Sequence, residues 1–144
     1  MVAARMGTPL RLFWAWHRWI FLTSRGRLGA KLGKQRFLAL TTVGRMSGEA
    51  RTHLLTYVEE GGCYFVVASN AGEPNHPAWW LNLQAKPEAE VMIRGQTTTI
   101  LAKEVDGDLR HRIWERFVAI DDAYAVYATR TERRIPVVGL QPKN

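Results

Sequence analysis

The segment at residues 41–51, TTVGRMSGEAR, has the residue types and spacing of an anion-binding turn. Gly44 and Gly48 permit backbone angles at which the amides between them converge on one anion. Side-chain donors complete the turn: Arg45, Ser47 and Arg51. Hydrogen bonds to a charged group contribute about 1.5–3 kcal/mol each, so such a turn could hold a phosphate firmly. A solvated hairpin turn with two surface arginines is the alternative, and local spacing alone favours it.

A second segment, ASNAGEPNHPAWWLNL at residues 68–83, places polar residues directly before a predicted helix. The polar residues are Ser69, Asn70 and Asn75. Backbone amides of this loop could bind the edge of a flat ring while the Trp79 indole packs on its face. Alternatively, the large apolar residues of the helix belong to the core. Tyr124 and Tyr127, three residues apart on one predicted helix face, either line the same pocket or pack against it.

The remaining residues offer no pattern for metal-dependent or nucleophilic catalysis. The histidines fall on four different predicted elements without the spacing of metal ligands: His17, His53, His76 and His111. Ser47 and Ser69 lack the context of a hydrolase nucleophile, and no glycine-rich nucleotide-binding pattern occurs. Cys63 is the single cysteine, which excludes an internal disulfide bond, and we expect a buried structural thiol.

The elements that position these segments are predicted from apolar periodicity and turn residues. Five or six strands are expected at residues 37–43, 51–60, 63–69, 90–95, 96–105 and 135–140. Helices are expected at residues 8–25, 78–85, 106–120 and 124–134. Hairpins around Gly61-Gly62 and around Gly95 favour a small antiparallel barrel or curled sheet. A doubly wound parallel sheet is not predicted, because helices do not separate the strands regularly.

The basic charge is concentrated in the first third of the chain. The 144 residues predict one compact domain with a formal net charge of +7. Residues 1–51 hold ten Lys or Arg and one acid, Glu49. This asymmetry indicates an anionic partner, which could be nucleic acid, anionic lipid or a polyanionic small molecule.

The predicted N-terminal helix is apolar and aromatic over a wide arc. Arg11, Arg18 and Arg25 lie seven residues apart, which predicts an arginine stripe on one face. Such a helix either packs its apolar side on the domain core or lies in a membrane interface, and the sequence favours neither arrangement over the other. Charges interrupt every apolar run, so no spanning helix is predicted. With no secretory signal, we expect a cytoplasmic protein with possible peripheral membrane contact through residues 9–25.

Three segments together resemble the deazaflavin-dependent nitroreductase family, also described as F420-dependent quinone reductases: GRMSGEAR, YVEEGGCYFVVASNAGEPNHPAWWLNLQAKPEAEV and YAVYATRTERRIPVVGL. The resemblance covers about residues 37–140. It implies a flavin-reductase-like split β-barrel, mainly β with flanking helices (α+β). It also implies coenzyme F420, an 8-hydroxy-5-deazaflavin with a phosphate and an oligoglutamate tail. We expect residues 1–35 to form a basic amphipathic helix and loop, and residues 36–144 to form the deazaflavin-binding domain.

The resemblance implies a role for each matched position. The residues matched to the turn for the cofactor's phosphate and tail are Arg45, Met46, Ser47, Gly48 and Arg51. The residues matched to the strand end beside the deazaflavin ring are Val67, Ala68, Ser69 and Asn70. The residues matched to the helix start that closes over the cofactor are Ala78, Trp79, Trp80, Leu81 and Asn82. The expected catalytic and substrate-positioning residues are Tyr124, Tyr127 and Ser69, and the resemblance associates Tyr124 with substrate positioning or proton donation.

These assignments predict an oxidoreductase that passes a hydride from reduced F420 to a quinone, a nitro-aromatic or an activated alkene, without a metal. Three positions depart from the family pattern. Met46 stands where Lys is frequent, Asn70 where some members have Lys, and Leu54 where proline is common. The departures leave the substrate open.

Two other kinds of protein remain open from the sequence. One is a non-catalytic, flavin-binding or haem-binding split barrel. The other is a basic barrel that binds nucleic acid, although the aromatic residues lie on an apolar helix rather than among charges on strands, which favours lipid or core contact. We therefore expect no nucleic-acid partner. A homodimer is expected only because small barrels often pair.

Overall fold

The elements of the chain alternate through short connections. The computed structural model describes residues 8–27 and 29–143, apart from the side chains of Thr8 and Leu10. The helices of this part are α1 (Thr8–Thr23), α2 (Ala78–Ala85), α3 (Gly107–Ile120) and α4 (Ala123–Arg130). The strands are β1 (Lys31–Leu32), β2 (Gln35–Val43), β3 (Ala50–Glu60), β4 (Cys63–Val67), β5 (Glu88–Ile93), β6 (Gln96–Val105) and β7 (Val137–Pro142).

Six of these strands close into an antiparallel barrel. The order is β2-β3-β4-β7-β6-β5, and a pairing of β2 with β5, which sets Ala39 opposite Met92, closes it. β1 adds to the sheet beside β2. The β3–β4 hairpin turns at Gly61-Gly62 and the β5–β6 hairpin turns at Gly95, as the sequence predicts. The predicted fold class, a mainly β barrel with flanking helices, is confirmed.

Apolar side chains from the strands and from α2 fill the barrel. The strand residues of this cluster include Leu38, Leu40, Tyr57, Val66, Val91, Ile100, Val138 and Leu140. α2 contributes Trp79, Trp80 and Leu83 to the same cluster. Burial of one large apolar side chain stabilises a fold by about 1.5–3 kcal/mol. These three contacts therefore hold α2, and the loop that leads into it, in a fixed position relative to the strands.

Helices α3 and α4 cover the outer faces of β3, β4 and β7. Ile113 and Phe117 of α3 are fully buried in this second cluster. The strand residues in it are Val58, Phe65, Val67 and Val137. Tyr124 and Tyr127 of α4 pack at its edge and are partly buried.

Helix α1 packs on the outside of the barrel through one face only. Phe21 is fully buried and clusters with Phe37 and Ala39 of β2. The opposite face leaves Trp16 and Trp19 60% and 64% exposed. Packing on the core, one of the two arrangements considered for this helix, is thus present, beside an uncovered aromatic face. None of the helices within the described residues is long and apolar enough to cross a membrane.

The arginine stripe predicted for the N-terminal helix is wrong at its last member. α1 ends at Thr23, and Arg25 lies beyond it with a φ of 57°. The N–H of Gly26 donates to the carbonyl of Phe21 at 2.7 Å, which closes the helix end. Only Arg11 and Arg18 therefore lie on α1.

Three element predictions need correction. Residues 31–32, expected in a loop, form β1. The strand expected to reach Ser69 ends at Val67, where its pairing with β7 ends. Its pairing with β3 stops earlier, at Phe65. The helix expected to run to residue 134 ends at Arg130. The Thr131 hydroxyl accepts a hydrogen bond from the N–H of Arg133 at 3.3 Å, and such local bonds compete with continued helix.

Candidate functional site

The barrel is split where β3 and β4 separate. β4 pairs only with the last three of the eleven residues of β3. After Val67, the N–H of Ala68 donates to the carbonyl of Pro136 at 2.9 Å, which keeps the chain beside β7. Residues 50–57 of β3 therefore pair with β2 alone. No strand pairing therefore joins that part of β3 to the segment at residues 68–77, and this interruption of the barrel is called the opening below.

The turn predicted to bind an anion joins β2 to β3 and is closed by its own backbone. The N–H of Gly44 donates to the carbonyl of Glu49 at 2.7 Å, and the N–H of Gly48 donates to the carbonyl of Gly44 at 2.8 Å. A Cβ at position 44 would lie 2.6 Å from the Ser47 hydroxyl, so a larger residue there would displace the Ser47 side chain. The predicted phosphate-binding residues of the turn are all exposed: Arg45, Met46, Ser47 and Gly48.

A buried asparagine joins this turn to α2. The Asn82 side-chain oxygen accepts from the backbone N–H of Arg45 at 3.1 Å and from its guanidinium at 3.0 Å. The Asn82 side-chain nitrogen donates to the hydroxyl of Thr42 at 3.1 Å. Asn82 is only 3% exposed. The structure therefore brings together two of the segments that the sequence singled out, because Asn82 bonds both Arg45 and Thr42. Sequence reasoning missed Thr42.

Arg51, at the start of β3, keeps its guanidinium available. It lies 3.3 Å from the carboxylate of Glu49 and 3.4 Å from the hydroxyl of Ser47. Both charged side chains of this pair are more than half exposed. Exposed ion pairs contribute about 0–1 kcal/mol, so an anion could displace Glu49 at little cost. Arg45 and Arg51 thus present two cations beside one turn.

The segment after β4 has an unusual backbone. Asn70 and Ala71 have φ values of 45° and 54°, a region that residues other than glycine rarely adopt. The Asn70 side-chain nitrogen donates to the carbonyl of Asn75 at 3.0 Å, which stabilises this turn. Val67 and Ala68 are buried, whereas Ser69 and Asn70 are partly exposed. The backbone is thus held in a strained conformation at the position predicted to contact a ring.

The predicted helix start supplies core residues as well as site residues. Trp79 and Trp80 are 4% and 6% exposed and belong to the barrel interior. Ala78 is exposed and Leu81 is half-buried. The indole of Trp79 thus serves the core, and contact between its face and a bound ring stays a prediction.

Tyr124 lies beside the part of β3 that pairs with β2 alone. Burial raises the pKa of Tyr124 to about 12, against the opposing effect of a hydrogen bond with the Thr56 hydroxyl. The Thr56 hydroxyl in turn donates to Gln35 at 3.0 Å. The rings of Tyr124 and Tyr127 meet edge to face at 5.8 Å. Burial also raises the pKa of Tyr127, so both phenols keep their protons at neutral pH.

A groove of about 530 Å³ lies between α1 and residues 52–56 of β3. Its walls include Trp14 and Arg18 of α1 and His53 and Thr56 of β3. The Arg18 guanidinium donates to the carbonyl of Thr52 at 3.2 Å. Nδ1 of His53 is buried without a hydrogen-bond partner. Burial, followed by the charge of Arg18, lowers the pKa of His53.

Groups for metal or thiol chemistry are not assembled in the described part of the chain. No group of three or more His, Cys, Asp or Glu there could hold a metal ion. Burial raises the pKa of the Cys63 thiol, which disfavours the reactive thiolate. The groups present around the turn, the loop and the groove are cations, amides and phenols, whose chemistry suits an anionic ligand and a hydrogen-bond acceptor.

The sequence is similar to reductases that use a deazaflavin. The profile of the F420H(2)-dependent quinone reductase family matches residues 14–142. An F420H(2)-dependent quinone reductase of Mycobacterium tuberculosis is 37% identical over 130 residues, which are 86% of this chain and 86% of that protein.

Solved structures agree with the sequence comparison. An F420-H2 dependent reductase is 37% identical, with a TM-score of 0.66 over 73% of this chain and 93% of its own. A domain-swapped dimer is 32% identical, with a TM-score of 0.69 over 90% of this chain and 98% of its own. A haem storage protein of Vibrio cholerae shares only the fold, at 18% identity and a TM-score of 0.57, over 75% of this chain and 82% of its own.

Proposed function

Because the chain belongs to the F420H(2)-dependent quinone reductase family, we propose that it reduces a quinone with coenzyme F420 as hydride donor. When bound, the coenzyme supplies a hydride from its reduced deazaflavin ring. The protein's part is to bind, to orient and to manage the accompanying proton. The observation that carries the proposal is the hydrogen-bonded junction of Arg45 and Asn82 beside the opening of the barrel.

The donor set of the turn suits the anionic end of the coenzyme. Arg45 and Arg51 present guanidinium groups, Ser47 presents a hydroxyl, and all three are exposed. Guanidinium groups bind phosphate and carboxylate oxygens in pairs, so they would hold the phosphate and the first residues of the tail. Met46, 91% exposed, contributes no charge, and tail binding then depends on the two arginines.

The segment after β4 would hold the ring. Ser69 and Asn70 are the partly exposed members of the predicted strand end, and their strained backbone directs polar groups towards the opening in the proposed complex. The backbone at Val67 and Ala68 supports them from the buried side. Ala78 and Leu81 of α2 would close over the coenzyme, while the buried indoles of that helix keep it in place.

The groove between α1 and β3 would hold the acceptor. Trp14 and Leu54 offer apolar surface to a flat ring, and Arg18 and His53 offer polar groups at its edge. We assign to Tyr124 a hydrogen bond, or a proton, to the acceptor oxygen that gains negative charge. Tyr127 and Ser69 complete the proposed catalytic set. Nitro-aromatics and activated alkenes are acceptors of the same electron-poor kind.

The experiment that tests this function is a titration followed by a turnover assay. Purified protein is titrated with F420, and oxidation of reduced F420 is then followed with menadione as acceptor. We expect saturable binding and quinone-dependent oxidation. Absence of binding to both redox forms would exclude the proposed enzyme. A protein that purifies with the absorption of haem or flavin, or that binds single-stranded nucleic acid with a steep salt dependence, would support the alternatives.

The uncovered face of α1 suggests where a lipid-soluble quinone is collected. Leu12, Trp16 and Trp19 are at least 60% exposed, and Arg11 and Arg18 are exposed on the same helix. We propose that α1 rests on the cytoplasmic face of a membrane, with its indoles in the interface and Arg11 at anionic headgroups. We also propose a homodimer, to be measured by light scattering in solution.

A further inference from the structure

Arg133 lies in the segment between α4 and β7 and directs its guanidinium at one loop. It donates from Nε to the carbonyl of Glu73 at 3.0 Å. It also donates to the carbonyl of Ala68 at 3.2 Å and to that of Ser69 at 2.7 Å. A fourth contact, 3.1 Å long, joins it to Nδ1 of His76. Since a guanidinium has five N–H groups, this single loop occupies nearly all of its donors.

The loop needs these donors because it has left the sheet. β4 ends at Val67, so the carbonyls that follow lack a neighbouring strand on the side of β3. Ala68 is fully buried, and an unpaired buried carbonyl costs about 1–3 kcal/mol. The adjoining residues, Asn70 and Ala71, have positive φ angles that the loop must be made to keep. Arg133 thus takes the place of a strand partner.

Helix α4 holds the same loop from a second direction. The Arg130 guanidinium donates to the carbonyl of Ala71 at 3.4 Å. A Cβ on Gly72 would lie 2.7 Å from the carbonyl oxygen of Tyr127, so loop and helix backbones are in close contact. The loop predicted to face the ring and the helix that carries Tyr124 are therefore packed as one unit.

We propose that Arg133 is the positioning residue that sets the Ala68–Asn70 backbone in register with the tyrosines of α4. It acts through those carbonyls and touches neither coenzyme nor acceptor. This role rests on the proposed function, because it concerns the distance between ring and acceptor. Displacements of about 1 Å between reacting groups can cost about 100-fold in rate, so loss of the clamp should affect turnover more than binding.

The experiment compares Arg133→Ala and Arg133→Lys with Arg134→Ala in the full chain. Arg134 is the matched control, since it is the next residue, is exposed, and forms an ion pair with Asp106. We expect Arg133→Ala to lower kcat for menadione at least tenfold and to raise the F420 Kd by a smaller factor, because the Arg45 turn proposed to hold the phosphate and tail is intact. Arg133→Lys should not restore kcat, because one ammonium cannot span three carbonyls. Arg134→Ala should match the parent protein.

Hydrogen exchange gives a readout that does not depend on activity. Amides of residues 69–73 should exchange faster in both Arg133 variants, and amides of the 44–48 turn should not. Unchanged exchange of the amides at residues 69–73 would overturn the proposed hold of Arg133 on the loop. If Arg133→Ala does not fold, the same measurement is made on Arg133→Lys. Faster exchange with an unchanged kcat would overturn the positioning role and leave the proposed function standing. A parent protein that does not bind F420 would overturn the function and the positioning role, while exchange would still report the clamp.

Discussion

At the scale of single residues, Asn82 uses both ends of its side chain to connect three parts of the chain. Its oxygen receives two hydrogen bonds from Arg45, and its nitrogen donates one to Thr42. Asn82 and Thr42 are both almost fully buried, so water cannot replace the bond between them. Asn82 therefore links the fold of α2 to the orientation of the turn.

We expect Asn82→Ala to destabilise the protein and to weaken F420 binding together. Loss of its bonds leaves the Thr42 hydroxyl and the Arg45 N–H unsatisfied, which should lower the free energy of unfolding by about 1–3 kcal/mol. Urea unfolding and F420 titration measure the two effects. Gln84→Ala, at an exposed position of the same helix, is the control. An Asn82→Ala protein with parental stability would contradict the argument.

The ionisation of Tyr124 sets a second expectation. Because its pKa is raised to about 12, the phenol stays protonated through the usual assay range. The raised pKa contributes stability that is present below pH 10 and lost as the pH rises through 12. We expect Tyr124→Phe to lower kcat with little change in the F420 Kd. The kcat profile of the parent should show no step from this tyrosine between pH 7 and pH 10.

The ionisation of His76 predicts how the stability of the protein changes below neutral pH. Burial, followed by the charge of Arg133, lowers its pKa, while Glu104 acts in the opposite direction. The ring must be neutral at Nδ1 to accept from Arg133. Its contribution to stability is therefore present above pH 6.5 and lost as the pH falls through the lowered pKa. The urea unfolding midpoint should fall with acidification in the parent protein and should fall less in His76→Gln. An equal dependence of the midpoint on pH in the two proteins would exclude His76 as the cause.

Sequence reasoning named the residues proposed to meet a ligand, and also Asn82, but it missed Thr42 and Arg133. Arg45 and Ser47 lie in a local motif whose glycines, Gly44 and Gly48, predict a turn. Thr42 and Arg133 have no local signature, because their partners lie 40 and about 60 residues away along the chain. A single sequence carries no signal for such a distant pairing.

At the scale of elements, local periodicity was enough for the hairpins and the longer helices. The double glycine after Glu60 and the glycine at position 95 mark two turns that the structure contains. The β2–β5 pairing that closes the barrel joins residues about 50 apart, and no local pattern indicates it. β1 was missed because two residues are too short to show alternation.

Helix α1 allows a direct test at this scale. Replacing Trp16 and Trp19 by Ser removes exposed indoles without touching the packed Phe21 face, so stability should be unchanged. We expect the double variant to lose co-sedimentation with vesicles of anionic lipid, because indoles supply the interfacial contact. Val126→Ser, an exposed apolar position on α4, is the control. Absence of vesicle binding by the parent would exclude the membrane proposal.

At the scale of the whole molecule, part of the basic charge of the first 51 residues lies on two of the surfaces described above. Of the ten basic residues in the first 51, Arg11 and Arg18 lie on α1, whereas Arg45 and Arg51 flank the turn. The turn is the surface proposed for the anionic tail. Exposed charges attract a polyanion strongly only at low ionic strength.

We therefore expect F420 affinity to fall as salt is raised from 50 mM to 500 mM, and to fall more for coenzyme with a longer tail. Arg45→Ala should bind about tenfold more weakly at low salt and show a shallower salt dependence. Titrations at several salt concentrations measure both. Arg134→Ala, which removes a charge beside Asp106, should keep the parental slope. A salt-independent Kd would contradict electrostatic binding of the tail.

The incomplete pairing of β3 has a consequence for the empty enzyme. A strand edge that pairs with no other strand is a template on which a strand of another molecule can add, the first step of aggregation. A ligand that fills the gap shields this edge and favours the native state by mass action. Recombinant production in a host that makes no deazaflavin should therefore lose material to insoluble protein, and supplying the coenzyme during refolding should raise the soluble yield.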